Sequence, residues 1–299
     1  MSWVLYTIVA TILQSFRNLE QKHLNKKLDA FTVSWSRFIL PLPFALVVVY
    51  FTFFAVSKSF IIYCLITACF QVAGNVFLLK TFQSKNFSIG ITFFKTEVLQ
   101  TMIIGFLFFH QNISSMGVIS IMIVTAGVIT MSGLVFNSGI TGFVQSLRNK
   151  AALYGILSGL SFSISAFNLK FASSELIPLG YQGLKAGMVV LMWVISFQNI
   201  LFLVTKSYQK RLIKDLNSLF SLENKVAFFK TTILSFSGSV CWFAAFSLGE
   251  VVYVKVVGQM ELIIAIAISH FILKEKHKTN EAVGIFLTAL GILMLILYH

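Results

Sequence analysis

The chain has 299 residues, 57% of them hydrophobic and only 11% charged, with a mean hydropathy of +0.87. A soluble domain is about 45–50% apolar and about 25% charged, so a water-soluble enzyme, a disordered protein and a nucleic-acid module are excluded. The formal charge of +13 is spread among long apolar runs, the pattern of loops flanking membrane segments and not of a nucleic-acid face.

Ten apolar segments of spanning length follow in order: 2–20, 31–55, 59–79, 87–109, 113–136, 151–171, 179–204, 227–247, 251–273 and 279–298. They are about twice as long as the strands of a membrane barrel, so they predict helices. Pro41 and Pro43 predict a kink in the second segment. Gly155, Gly159 and Ser163 form one ladder of small residues and Gly183 and Gly187 a second, both signs of close helix contact. Outside the segments, every lysine and arginine except Lys58 falls in an odd-numbered connection: Lys22, Lys26 and Lys27; Lys80 and Lys85; Arg148 and Lys150; the basic stretch from Lys206 to Lys230; and Lys274, Lys276 and Lys278. The positive-inside rule then places those connections in the cytoplasm and both termini outside; the expected setting is a bacterial inner membrane. The long connection, 205–226, is basic, with Leu212, Leu216, Leu219 and Phe220 at helical spacing. It reads as a helix on the anionic inner leaflet or as a solvated loop.

The three cysteines, Cys64, Cys69 and Cys241, form no Cys-x-x-Cys pair, and no metal or disulfide framework is expected. Met1–Ala10 lacks the basic start of a cleavable signal peptide. There is no Walker A loop, no H-E-x-x-H and no G-x-S-x-G. The expectation is a protein without a cofactor that is not an enzyme.

Sliding the chain against itself by 164 residues brings Gly74 onto Gly238, Phe82 onto Phe246, Glu97 onto Glu261 and Gly127 onto Gly291. Five spans per half is an odd number, so the halves enter the membrane from opposite sides. The expected fold is therefore all-α and integral to the membrane, ten transmembrane helices as two inverted five-helix repeats. The first repeat is 1–137, the connector 138–150 and the second repeat 151–299. Two antiparallel halves can enclose a site near mid-membrane and open it to one side at a time.

Glu97 and Glu261 each lie ten residues into a segment, about 15 Å along a helix. A carboxyl at that depth is costly and should face a cavity or a partner, where it can exchange a proton or bind an ammonium. Arg17, Arg37 and Lys95 fall in the predicted cytoplasmic half, and Lys185 and Lys255 in the outer half, with Lys170 close enough to a helix end to snorkel. Gln14, Arg17 and Asn18 share a stripe on the first segment. Trp35 precedes Arg37, and Asn75 lies in the third segment. Trp242 and Tyr253 lie near the Glu261 helix; Lys255 and Gln259 share a face, and Gly258 sits one turn before Glu261. These residues are the candidates for clamping a polar solute. The 32 phenylalanines read as packing and receive no site.

The chain resembles the drug/metabolite transporter superfamily in its ten-helix EamA-like form. The resemblance rests on two five-helix halves and on how each ends: Leu273-Lys274-Glu275-Lys276 with Gly284 and Ala289-Leu290-Gly291-Ile292-Leu293, and Phe109-His110-Gln111 with Thr125-Ala126-Gly127-Val128. Gln111 stands where the family often has Glu, and Arg37 falls where such families commonly carry an Arg. The resemblance implies a central cavity and secondary transport of a small metabolite, as exporter, importer or exchanger. The cation excess points to a zwitterionic or anionic solute such as an amino acid. Alternatives are a nucleotide-like solute such as S-adenosylmethionine or a nucleotide sugar, a lipid flippase, a lipid-modifying enzyme and a structural or receptor subunit. Expected partners are the solute, protons as coupling ion and membrane lipid, without nucleic acid, the chain acting as monomer or homodimer.

Overall fold

A computed structural model describes residues 2–84, 87–109, 111, 113–131, 141, 145–271 and 279–298, and regular structure among them is helical throughout. In order they are α1 (Ser2–Leu24), α2 (Ala30–Trp35), α3 (Leu42–Thr52), α4 (Lys58–Gln83), α5 (Phe87–Lys95), α6 (Glu97–Phe109), α7 (Ser115–Met131), α8 (Lys150–Glu175), α9 (Gly183–Tyr208), α10 (Leu212–Phe220), α11 (Lys225–Leu248), α12 (Val251–Gly258), α13 (Met260–Phe271) and α14 (Thr279–Tyr298). Much of the expected connector (138–140 and 142–144) lies outside the described residues, as do Leu273, Lys274, Glu275, Lys276 and Lys278 at the end of the second half, Lys85 and His110.

Among the described residues, six helical stretches are long and apolar enough to cross a membrane by length and composition: Lys58–Gln83, Ile89–Phe109, Lys150–Leu179, Gly183–Tyr208, Lys225–Leu248 and Thr279–Tyr298. Segment one is absent from that group because its polar side chains dilute its hydropathy, and the structure shows where they go. Thr7, Thr11, Ser15, Arg17 and Gln21 of α1 are buried, while Leu5, Val9, Ile12, Phe16 and Leu19, at helical spacing, are exposed. Polar inside and apolar outside is the reverse of a soluble helix and fits a lipid surround. Segment two is broken more completely than a kink. Ser36–Pro41 form turns between α2 and α3, with Pro41 capping α3 and Pro43 in its first turn, where a missing N–H costs nothing. Side chains from neighbouring helices take up carbonyls that the break frees: Thr232 Oγ1 donates to Ser36 O at 2.6 Å, and Asn199 Nδ2 to Phe38 O at 2.9 Å.

Packing partners recur between the halves. α4 runs along α8 and α1 along α11; α5 and α6 lie on α8, as α12 and α13 lie on α1; α7 packs on α14. The glycines paired by the 164-residue shift occupy matching contacts. Gly74 faces Phe162 of α8, and Gly238 faces Leu13 of α1. Gly127 and Gly291 both sit in the α7–α14 seam, where an added Cβ would come within 2.5 and 2.7 Å of the other helix. The small-residue ladders behave as expected: Gly155 meets the backbone of Gly90 and Phe94, and Gly187 that of Phe243 and Ala244.

The long connection forms α10. Leu219 is buried, Leu212 and Leu216 are partly buried against the core, and Asp215 is buried beside them. Leu212, Leu216 and Leu219 of the stripe therefore face the protein while Phe220 stays exposed, and the Asp215 carboxylate beside them meets the ammonium of buried Lys206 at 2.6 Å. Lys206 also donates to Asp29 Oδ2 at 3.2 Å and to Thr32 Oγ1 at 2.7 Å. Asp29 caps α2 through Phe31 N and Thr32 N, both at 3.1 Å. Burial works against its carboxylate, but hydrogen bonds from the Thr32 side chain and backbone, with the Lys206 ammonium, outweigh it and hold its pKa below the ordinary value. A carboxyl lowered in this way stabilises the fold fully above its unfolded pKa, near pH 4, and loses that contribution as pH falls through the folded value. Asp29→Asn is therefore expected to lower the thermal midpoint of the purified protein at pH 7, with the gap to the parent narrowing below about pH 4. A gap constant with pH would contradict this.

Candidate functional site

The two interior glutamates stand at helix breaks. α5 ends at Lys95, Thr96 makes a turn, and α6 begins at Glu97; α12 ends at Gly258, Gln259 makes a turn, and Glu261 is in the first turn of α13. Thr96 bends its own chain, its Oγ1 donating back to Phe93 O at 2.7 Å. At the second break a Cβ on residue 258 would lie 2.7 Å from the far edge of the Trp242 ring, so glycine here lets the ring approach the turn. Each carboxylate thus sits at the positive end of one half-helix. Lys95 and Lys255 sit in the last turns of α5 and α12, at the negative end.

The charges pair across the halves. Lys95 Nζ lies 2.5 Å from Glu261 Oε2, and Lys255 Nζ lies 3.3 Å from Glu97 Oε2. All four side chains are buried. The pairs are unequal. Glu261 Oε2 also accepts from Gln14 Nε2 at 2.9 Å, and its Oε1 from Asn18 Nδ2 at 2.6 Å. Gln14 Oε1 in turn accepts from Trp242 Nε1 at 2.9 Å. Among the described residues, the Glu97 carboxylate has Lys255 alone as its hydrogen-bonding partner. The Lys255 ammonium lies over the Phe162 and Phe246 rings, at 5.7 and 5.6 Å from their centroids.

A cavity of about 730 Å³, counted with the open space at its mouth, adjoins both pairs. Gln14, Arg17, Arg37, Glu97, Lys255 and Glu261 supply its polar wall, with Trp242 and Gly258 beside them. Lys95 and Asn18 reach it through Glu261, and Asn75 through Arg37, whose Nη1 donates to Asn75 Oδ1 at 2.9 Å.

Other candidates stand apart. Trp35 is buried and donates to Asn199 Oδ1 at 2.9 Å, holding α2 on α9. Tyr253 is buried, its hydroxyl accepting from Ser114 N at 3.3 Å. Gln259 is buried at the break, its Oε1 without a partner among the described residues. None of the three lines the cavity. Lys185 is exposed in the first turn of α9, away from the lining, since its position leaves the long side chain free to stay in water. Lys170 does not snorkel into water: its ammonium caps carbonyls at the end of α11, Ser247 O at 3.2 Å and Gly249 O at 3.1 Å.

Sequence reasoning assigned no site to phenylalanine, yet Phe94, Phe162, Phe243 and Phe246 line the cavity. It also passed over Gln71, Ser165 and Ser239. The available signal was polar spacing inside apolar runs. Gln71 is one turn from Asn75, and Ser239 one turn from Ser235. No such signal marks the phenylalanines.

The model of the EamA-like transporter family matches residues 1–133 and again 149–297. No curated protein matches the chain. A solved crystal structure, described no further than as a protein, covers 99% of this chain and 97% of its own at 12% identity and a TM-score of 0.68. At that identity the likeness extends to the fold alone.

Proposed function

The chain belongs to the EamA-like transporter family, whose members move small solutes across membranes and are not enzymes, and from that premise we propose that it is a secondary active carrier of a small zwitterionic or anionic metabolite, such as an amino acid, working by alternating access. In this reading 1–137 and 151–299 are inverted five-helix repeats, with 138–150 between them, and both termini lie outside. The recurrence of packing partners between the halves and the matched glycine contacts support the repeats. The distribution of basic residues supports the orientation.

The observation that carries the proposal is the crossed pairing of Lys95 with Glu261 and Lys255 with Glu97 at two helix breaks beside one cavity. Buried pairs that join opposite halves hold one arrangement of those halves. A solute can release them only by replacing the interactions they lose. A zwitterion does so in kind: its ammonium takes a glutamate and its carboxylate takes a cation. Glu97 is the carboxylate that exchanges, because it has one partner to give up, while Glu261 is clamped by Lys95, Gln14 and Asn18. Protons are the coupling ion in this reading.

The test is counterflow in liposomes containing the purified protein, with a panel of amino acids. At least one member is expected to exchange, and Glu97→Gln is expected to slow it at least about tenfold, the loss of one charge-assisted contact. Absence of exchange for every member overturns the reading, as does exchange untouched by both Glu97→Gln and Glu261→Gln.

A further inference from the structure

The crossed pairs account for only half of the cations at this level. Lys95 and Lys255 consume both carboxylates. Arg17 and Arg37, each at least nine-tenths buried, line the same cavity and form no ion pair among the described residues: Arg17 feels the Glu261 carboxylate only at longer range, behind Asn18, and Arg37 lies over the Phe38 ring at 4.7 Å. Arg17 donates to the neutral amide oxygen of Asn18, from Nε at 3.3 Å and Nη2 at 2.8 Å. Arg37 donates from Nη1 to the amide oxygen of Asn75, and its Nε is buried without a partner among the described residues. Asn75 Nδ2 beside it is likewise buried and unpartnered.

A guanidinium carries five donors and no acceptor, and a buried charge left without a counter-ion is costly. This lobe therefore has donors and positive charge in excess and lacks acceptors. Two like charges kept together in one cavity call for one ligand group that answers both. A phosphate monoester does so: it carries a charge near −2 at neutral pH and presents three acceptor oxygens to which a planar guanidinium can bond in bidentate fashion.

Building on the carrier reading, we propose that the lobe formed by Arg17, Arg37 and Asn75 binds a doubly charged oxyanion, so that the preferred solute is a phosphorylated zwitterion with its phosphate on the arginines and its ammonium on Glu97. A guanidinium pair discriminates by charge number. A solute with a single carboxylate leaves one arginine unanswered.

The test compares O-phosphoserine with serine, which differ only in the phosphate, as ligands of the full chain purified in detergent, read by the shift in thermal midpoint with ligand concentration. O-phosphoserine is expected to bind at least about tenfold more tightly than serine. Arg37→Lys, which keeps the charge and removes the fork, is expected to erase at least about tenfold of that affinity. Lys185→Gln, on the exposed side of α9, serves as the control and is expected to leave it intact. Equal binding of the two ligands overturns the inference. So does an equal shift from sodium chloride at matched ionic strength, or full retention of phosphoserine affinity in Arg37→Lys. Should that variant fail to fold, the comparison of ligands on the parent protein decides. The two readings fail separately: serine that exchanges across liposomes without phosphoserine binding removes the phosphate lobe and leaves the carrier, whereas phosphoserine binding with no exchange of any solute removes the carrier and leaves the lobe.

Discussion

Lys255→Met lowers the stability of the purified protein by about 3–5 kcal/mol, and adding Glu97→Gln to it returns most of that loss. The first substitution strands a buried carboxylate, the expensive case; the second removes the charge that was stranded. The geometry makes the dependence mutual. Lys255 is the one hydrogen-bonding partner of the Glu97 carboxylate among the described residues. The Lys255 ammonium lies near the Phe162 and Phe246 rings, where methionine packs without repulsion. Thermal midpoints of the two single variants and the double variant form the cycle that measures the coupling. Losses that simply add would mean that the two side chains do not interact, and the crossed pairing would lose its structural meaning. The corresponding cycle at Lys95 and Glu261 is expected to recover less, because Gln14 and Asn18 also donate to Glu261 and would be left without their charged acceptor.

Gly155→Ala costs more than about 3 kcal/mol, whereas Gly238→Ala leaves the stability unchanged or raises it by up to about 1 kcal/mol. Both glycines are interior to long helices, α8 and α11. A Cβ at 155 would come 2.1 Å from Gly90 O and 2.8 Å from Phe94 N, backbone atoms that cannot rotate away. A Cβ at 238 would meet Leu13 Cβ at 3.5 Å and Ala10 O at 3.9 Å, ordinary contact. The Gly155 contact also sets the height of α5, and with it the break at Thr96 and the position of Glu97. Folded yield by size-exclusion chromatography and the thermal midpoint test the contrast; similar behaviour of the two variants would contradict it.

Much of this architecture was legible in the residues. Glu97 coincides with Glu261, and Gly127 with Gly291, on one ungapped shift, and the structure sets both glutamates at helix breaks and both glycines in the α7–α14 seam. Gln14, Arg17, Asn18 and Lys255 were found because polar groups inside apolar runs must have a reason to be there. Pairing was not legible, since which lysine meets which glutamate depends on how two distant helices cross. The difference between Glu97 and Glu261 was hidden for the same reason: Gln14 and Asn18 come from a helix far away in the chain. Phe162 and Phe246 were passed over because a ring on a cavity wall and a ring in solid packing have the same sequence signature. Lys185 was taken for a cavity residue from its segment alone, and only the start of α9 puts it in water. The inward stripe of α10 was misread because the influence of Asp215 depends on Lys206, which lies on the preceding helix.

The reversed polarity of α1 has a consequence for biogenesis. This helix carries Arg17, Asn18 and Gln21 on the side away from lipid, and the structure hides that side against α11, α12 and α13. Those partners are synthesised some two hundred residues later. A single helix that bares a guanidinium and two amides is a poor guest of the bilayer interior. During translation α1 must therefore wait, lodged beside the insertion machinery or resting at the interface, until the second half arrives to receive it. The first half then depends on the second from the ribosome onward, and expressed by itself it should not hold α1 across the membrane.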